Sequence, residues 1–210
     1  MLVEANSPVR HIVFDIGNVL LHYDPETPFL HLIPNEAERT HFLSTVCTSD
    51  WNLEQDRGRR WADAEDLLIA DFPEQADLIR AFRKHWPEMV SHAYDDSVSI
   101  MLDFIEEGQD VTLLTNFAAD TFKEARKMYP FLNLPRGVTV SGEIGILKPE
   151  RGIYDRHVEV FDLDPEACLF IDDSEKNVEG AIHAGWQAVH FTGAEKLRRD
   201  LGQLGLLVAA

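Results

Sequence analysis

Two adjacent aspartates, Asp172 and Asp173, close an apolar run from Cys168 to Ile171, and a third, Asp15, closes another from His11 to Phe14. Apolar runs of this length that stop at polar turn residues read as buried strands. In an open parallel sheet, ligands bind beyond the carboxyl ends of the strands. Three acids at two such ends therefore predict one anionic cluster, which is costly to bury unless a cation neutralises it. Oxygen-only ligands favour Mg2+. The chemistry expected is that of a metal-assisted enzyme, and a carboxylate at a strand tip can attack phosphorus to form an acyl phosphate.

Two further strand exits carry suitable groups. Thr115-Asn116 ends the apolar run Val111–Leu114, and a hydroxyl and an amide there can hydrogen-bond a phosphoryl oxygen. Lys148 stands just before Pro149, where a cation reaching into a cleft can neutralise a nucleophile and a transferring phosphoryl group. Each of these residues alone has a plain structural reading: turn chemistry for Asp15, Thr115 and Asn116, a solvated surface for Lys148, a helix cap for Asp172. Acid, then threonine, then lysine, then paired acids, each at its own strand exit, is a low-probability coincidence.

The elements that must position them alternate along the chain. Strands are expected at 11–15, 111–114, 138–140, 169–172 and 188–190, with helices at 97–107, 118–128, 150–161, 174–183 and 194–203. Such alternation predicts a parallel sheet covered by helices on both faces. Between about Thr27 and Ser91 the pattern is helical throughout, with Trp51, Trp61, Phe72, Phe82 and Trp86 set among charged residues. There Asp63 reads as a helix N-cap, with Asp66 three residues on, and Pro73 as the first-turn proline of a helix ending near His85. The fold class expected is α/β: a three-layer, Rossmann-like parallel core (1–24 and 93–210) with an all-helical cap (25–92) inserted after the first strand.

Composition bounds the partners. The 210 residues carry a formal net charge of -18, which repels nucleic acid and anionic membranes. A phosphorylated substrate then needs a locally positive site built from metal, lysine and backbone N–H groups. The two cysteines, Cys47 and Cys168, form no CxxC pair and read as small buried hydrophobes, which fits a reducing, cytoplasmic compartment. Residues 1–10 lack the apolar core of a signal peptide, and no apolar stretch is long enough to span a bilayer.

Four stretches together resemble the haloacid dehalogenase superfamily of aspartyl-nucleophile hydrolases: Phe14-Asp15-Ile16-Gly17-Asn18-Val19-Leu20, Leu113-Leu114-Thr115-Asn116, Gly145-Ile146-Leu147-Lys148-Pro149 and Phe170-Ile171-Asp172-Asp173-Ser174-Glu175-Lys176-Asn177. The helical insertion resembles the four-helix cap of one large subfamily, and the motif spacing is similar to bacterial sugar-phosphate phosphatases, including those acting on alpha-D-glucose-1-phosphate. The resemblance implies a small phosphorylated metabolite as substrate and Mg2+ as cofactor. It implies that Asp15 is nucleophile and metal ligand, that Gly17 offers its carbonyl to the metal, and that Asp173 binds it. Thr115 and Asn116 would hold the phosphoryl group, and Lys148 would bridge nucleophile and phosphate. Asp172 would act from the inner or outer coordination sphere, with Asn177 supporting its loop.

One departure matters. Most phosphatases of the superfamily carry a second aspartate two residues after the nucleophile, as general acid and base, and here that residue is Gly17. Asp24 and His22 are candidate substitutes, because the chain passes the site again on its way to the cap. In the cap, Trp51, Glu54, Arg57, Arg60 and Trp61 are candidates for reading the substrate. Two alternatives stay open. A 2-haloacid dehalogenase would use Asp15 on carbon without metal and tolerate Gly17, but its relatives hold small uncharged residues where Asp172 and Asp173 stand. A non-catalytic binding module would keep the fold without a general acid.

Overall fold

The computed structural model describes residues 8–206; the outermost positions of the expected core, with most of the N-terminal stretch read above, lie outside the described residues. Five strands form one sheet: β1 (His11–Phe14), β2 (Asp110–Thr115), β3 (Val138–Val140), β4 (Cys168–Asp172) and β5 (Gln187–His190). Their order is β3-β2-β1-β4-β5, and every neighbouring pair is parallel. Phe14 lies level with Leu113 on one side and Ile171 on the other. The chain builds outward from β1 through β2 to β3, then returns to β1's other edge with β4. That reversal makes β1 and β4 the switch point at which open α/β sheets bind ligands.

Alternation along the strands sorts the core into two layers. Ile12, Phe14, Leu169 and Ile171 face one cluster, which includes Phe104 and Leu201. Val13, Leu114 and Phe170 face the other, with Ile153, Tyr154 and Ala181. Both faces are covered, which is why these strands read as apolar runs rather than as alternating patterns.

Six helices follow β1: α1 (Phe29–Leu32), α2 (Glu36–His41), α3 (Ser49–Asp56), α4 (Trp61–Asp71), α5 (Ala76–Lys84) and α6 (Trp86–Met89). Four of them exceed a single turn, and α2 runs on through a wide turn at Phe42–Val46. The remaining helices cover the sheet or lead into it: α7 (Asp95–Glu106), α8 (Ala119–Met128), α9 (Ser141–Ile144), α10 (Arg151–Phe161), α11 (Glu175–His183) and α12 (Ala194–Gln203). The two chain crossings between sheet and helical insertion are bonded to each other. His22 N–H donates to the His92 carbonyl (3.0 Å), Asp24 N–H to Met89 (2.9 Å) and Tyr94 N–H to Leu20 (2.9 Å). His22 stacks on His92 at the same place, with ring centroids 4.7 Å apart.

Local readings of the insertion need two corrections. Asp63 is not the N-cap of α4; Arg60 is, without a side-chain cap bond. The helix starts early because Trp61 is buried against Phe82 and Trp51. Pro73 opens a short tight turn (Pro73–Gln75), and α5 proper begins at Ala76.

Candidate active site

Asp15 follows β1 directly and its N–H donates to the Ile171 carbonyl (2.9 Å), which holds it beside the tip of β4. Asp172 is the last residue of β4 and is fully buried. Lys148 arrives from the segment between α9 and α10 and is 4% exposed. Its Nζ lies 2.7 Å from Asp15 Oδ1 and 2.7 Å from Asp172 Oδ2, and donates to the Leu114 carbonyl at 3.3 Å. Oxygens of Asp15, Asp172 and Asp173 all lie within 4.8 Å of one another.

Asp172 has little left to offer. Its Oδ1 accepts from Ser174 N–H (2.8 Å) and Asn177 Nδ2 (3.0 Å), and its Oδ2 from Lys148 and Asn177 (3.2 Å). This carboxylate aims the lysine and ties down the loop. Tyr154 reinforces that loop by donating its hydroxyl to the Asn177 carbonyl (2.7 Å). Gly180 is needed there: a Cβ would sit 2.8 Å from Pro149 Cβ and 2.9 Å from the Tyr154 hydroxyl, so α11 packs against the Lys148-Pro149 segment only without a side chain.

Asn116 clamps the same segment from β2. Its Oδ1 accepts from Lys148 N–H (2.8 Å) and its Nδ2 donates to the Lys148 carbonyl (3.1 Å). Thr115 is buried at the end of β2. The turn after Asp15 is tight, with Leu20 and Leu21 N–H both donating to Ile16 at 2.9 Å and Asn18 at φ 53°.

Three carboxylates face one ammonium, an excess of two negative charges when all are ionised, with Asp15 and Asp172 buried and Asp173 half-buried. Burial pushes the Asp15 carboxyl up to about 7; Lys148 opposes this and Asp172 and Asp173 add to it. Burial, then Asp172, raises Asp173 as well. Burial works against the Lys148 ammonium, yet Asp15 and Asp172 outweigh it and hold its pKa above the ordinary range. The donor set is all oxygen and the charge excess matches a divalent ion, so these residues fit Mg2+, with Asp15 and Asp173 holding the carboxylate oxygens that Asp172 does not.

Three sequence candidates stand apart from this cluster. Arg57 follows α3 and spans to the core surface, donating to Glu150 (2.6 Å) with its Nε 3.7 Å from Glu54. Asp24 spends its carboxylate on its own turn, accepting from Glu26 N–H (2.8 Å) and Thr27 Oγ1 (3.1 Å). His22 sits at the crossing, its Nδ1 3.0 Å from the Tyr94 hydroxyl. Of the expected substrate readers, Trp61 lines a cavity of about 70 Å³ beside Gly17, and Glu54 and Arg60 are exposed. Neither the Trp51 nor the Trp61 indole N–H has a partner among the described residues.

The cavity also brings in residues that sequence reasoning missed: Tyr23, Asn52, Asp56, Trp86 and Phe117. Nothing marked Asp56 among 37 acidic residues. Its place is set by packing of α3 on the core, where Ser141 Oγ donates to the Asp56 carbonyl at 2.6 Å.

Comparison with known proteins follows the same lines. Residues 9–185 match the family model of haloacid dehalogenase-like hydrolases. A sesquiterpene phosphatase of Aspergillus oryzae is 27% identical over 106 residues, half of this chain and 54% of that protein. A flavin mononucleotide hydrolase of Arabidopsis thaliana is 37% identical over 65 residues, 31% of this chain and 26% of that protein. The matches thus span about half of the first relative's length and about a quarter of the second's. Among solved structures, a family enzyme of Bacteroides thetaiotaomicron in complex with magnesium and inorganic phosphate superposes with TM-score 0.66 at 22% identity, covering 86% of this chain and 93% of that one. The L-2-haloacid dehalogenase of Xanthobacter autotrophicus superposes with TM-score 0.63 at 16% identity, covering 95% and 85%. At these identities the structures share the fold.

Proposed function

The chain belongs to the haloacid dehalogenase-like hydrolases, and on that premise we propose that it is a Mg2+-dependent hydrolase of small phosphomonoesters, sugar-phosphate-like in size. One observation carries the reading: a buried lysine bridges Asp15 and Asp172 at 2.7 Å each, with a third carboxylate within reach. Asp15 attacks phosphorus and forms an aspartyl phosphate, which water then hydrolyses. Lys148 holds Asp15 in place and stabilises the negative charge that grows on the phosphoryl oxygens. Thr115 offers its hydroxyl to the phosphoryl group, and Asn116 fixes the lysine's backbone. When bound by Asp15, Asp173 and the Gly17 carbonyl, Mg2+ supplies further neutralisation of that charge. Residues 25–92 form the cap over a core of 1–24 and 93–210, and its closure excludes water.

The names of two relatives, a sesquiterpene phosphatase and a flavin mononucleotide hydrolase, support this class. The dehalogenase alternative fits Gly17 but leaves Asp173 unexplained: no ammonium or guanidinium pairs with it among the described ion pairs. A non-catalytic module leaves the whole buried constellation without a role. A panel of phosphorylated metabolites, assayed with Mg2+ and with EDTA, tests the proposal. Mg2+-dependent phosphate release that Asp15→Asn abolishes is expected. Chloride release from a chloropropionate in EDTA, or full activity in Asp15→Asn, overturns it.

A further inference from the structure

The reaction leaves a proton unassigned. Cleaving the ester bond leaves an electron pair on the departing oxygen, and the residue two after the nucleophile is Gly17. We propose that Asp56, delivered by the cap, is the catalytic acid and base that serves the leaving group in place of a side chain at position 17. This rests on the phosphatase reading above.

The geometry begins at Gly17. A Cβ built there meets nothing within 4 Å, so the space where an acid at this position would project is open. Gly17 also lines the cavity of about 70 Å³ between core and cap. Gly17 and Asn116 form its core side, and Tyr23, Asn52, Asp56, Trp61 and Trp86 line it from the crossing and the cap. Asp56 is the one carboxylic acid among the residues lining it. Asp24, the candidate suggested by sequence, has both oxygens engaged in its own turn.

Asp56 is also held still. It ends α3, and its carbonyl accepts from Ser141 Oγ, which in turn accepts from Phe117 N–H at 2.9 Å. Just beyond it, Gly58 at φ 106° lies against Gly142, where a Cβ would meet the Gly142 carbonyl oxygen at 3.1 Å. Cap and core therefore meet in backbone contact beside this acid. The groups that act on the Asp56 carboxyl are the Ala118 N–H at the start of α8 and the Lys148 ammonium, and the Tyr23 phenol faces it from the crossing. Burial outweighs the two that favour ionisation and pushes the carboxyl up to about 7. An acid of that strength is present in both protonation states near neutral pH, the condition under which it can give a proton and take one back.

The steps balance. As Asp15 bonds to phosphorus, the P–O ester bond breaks, its electron pair stays on the departing oxygen, and that oxygen takes the Asp56 proton. Water then attacks phosphorus and gives a proton to the Asp56 carboxylate. The bond between phosphorus and Asp15 breaks with its electron pair returning to Asp15, and inorganic phosphate leaves.

A proton donor matters most when the leaving group is poor. The test compares wild type, Asp56→Asn and the Asp56→Asn/Gly17→Asp double variant on aryl phosphates from dinitrophenyl to phenyl phosphate, with Mg2+. In Asp56→Asn, kcat on phenyl phosphate should fall by about a hundredfold or more, and kcat on the dinitrophenyl ester should change by less than about tenfold. Gly17→Asp should restore turnover of the phenyl ester, because a side chain at position 17 meets no atom within 4 Å and Gly17 lines the same cavity as Asp56. A loss equal across the series, or none, overturns the role of Asp56 and leaves the phosphatase reading standing. A failure of Gly17→Asp to restore any phenyl phosphate turnover also counts against it. A wild type inert toward every ester overturns both readings.

Discussion

Replacing Lys148 by Met keeps an unbranched side chain one atom shorter and removes its charge, and the structure sets what this should cost. The ammonium is buried between two carboxylates, each 2.7 Å away, with a third nearby. Breaking a buried ion pair by removing one partner typically costs about 3–5 kcal/mol, because it strands the charge left behind. For a chain of this size about 1 kcal/mol lowers Tm by roughly 2–4 °C, so a drop of roughly 6–20 °C is expected. The loss should depend on pH. Burial already holds the Asp15 carboxyl above its unfolded value, and losing the lysine removes the cation that opposes this, so the folded state binds more protons than the unfolded one. Stability is then retained at low pH and lost as pH rises through the folded pKa. Melting curves of Lys148→Met in EDTA should lie close to wild type near pH 5 and well below it near pH 8. Adding Asp172→Asn should recover much of the stability at high pH and none of the activity. Turnover of an aryl phosphate should fall by about a hundred- to a thousandfold in Lys148→Met, as when a fixed donor to a transition-state oxyanion is removed. A Lys148→Met protein that melts with wild type at pH 8 refutes the reasoning. So does a double variant less stable than the single one.

Further outcomes follow from the same site. Metal-free wild type should itself lose stability as pH rises from about 4 to 7, because burial holds the Asp15 carboxyl up to about 7, and Asp15→Asn should flatten that profile in thermal melts. Mg2+ should raise the Tm of wild type and fail to do so in Asp173→Asn, read by a melting titration. Asn116→Ala should lower kcat more than it raises KM, since its amide holds the lysine's backbone at both ends; steady-state kinetics on an aryl phosphate checks this. Arg57→Ala should leave KM unchanged, because its guanidinium is spent on Glu150 at the surface; a raised KM would return it to the substrate.

Much of this was legible in the chain because strand ends are legible. Asp15, Thr115 and Asp172 each terminate an apolar run, and a parallel sheet brings such termini to one edge. Lys148 was legible through its company rather than by itself. Local helix signals in the insertion were less reliable. The Asp63 signal lost to the burial of Trp61, a tertiary contact that outweighs capping preference.

The sequence alone determined the order of strands and helices, the acids and lysine of the site, and the gap at Gly17, since each depends on local pattern and on position at an element's end. What fills that gap was decided by tertiary structure. Asp24 is near Asp15 in sequence but is consumed by its own turn, and Asp56 is remote in sequence but is pressed by cap packing into the cavity beside Gly17. The reason is physical: which side of α3 meets the core depends on the fit of Asp56 and Gly58 against Ser141 and Gly142, and a backbone contact of that kind leaves no trace in composition or periodicity.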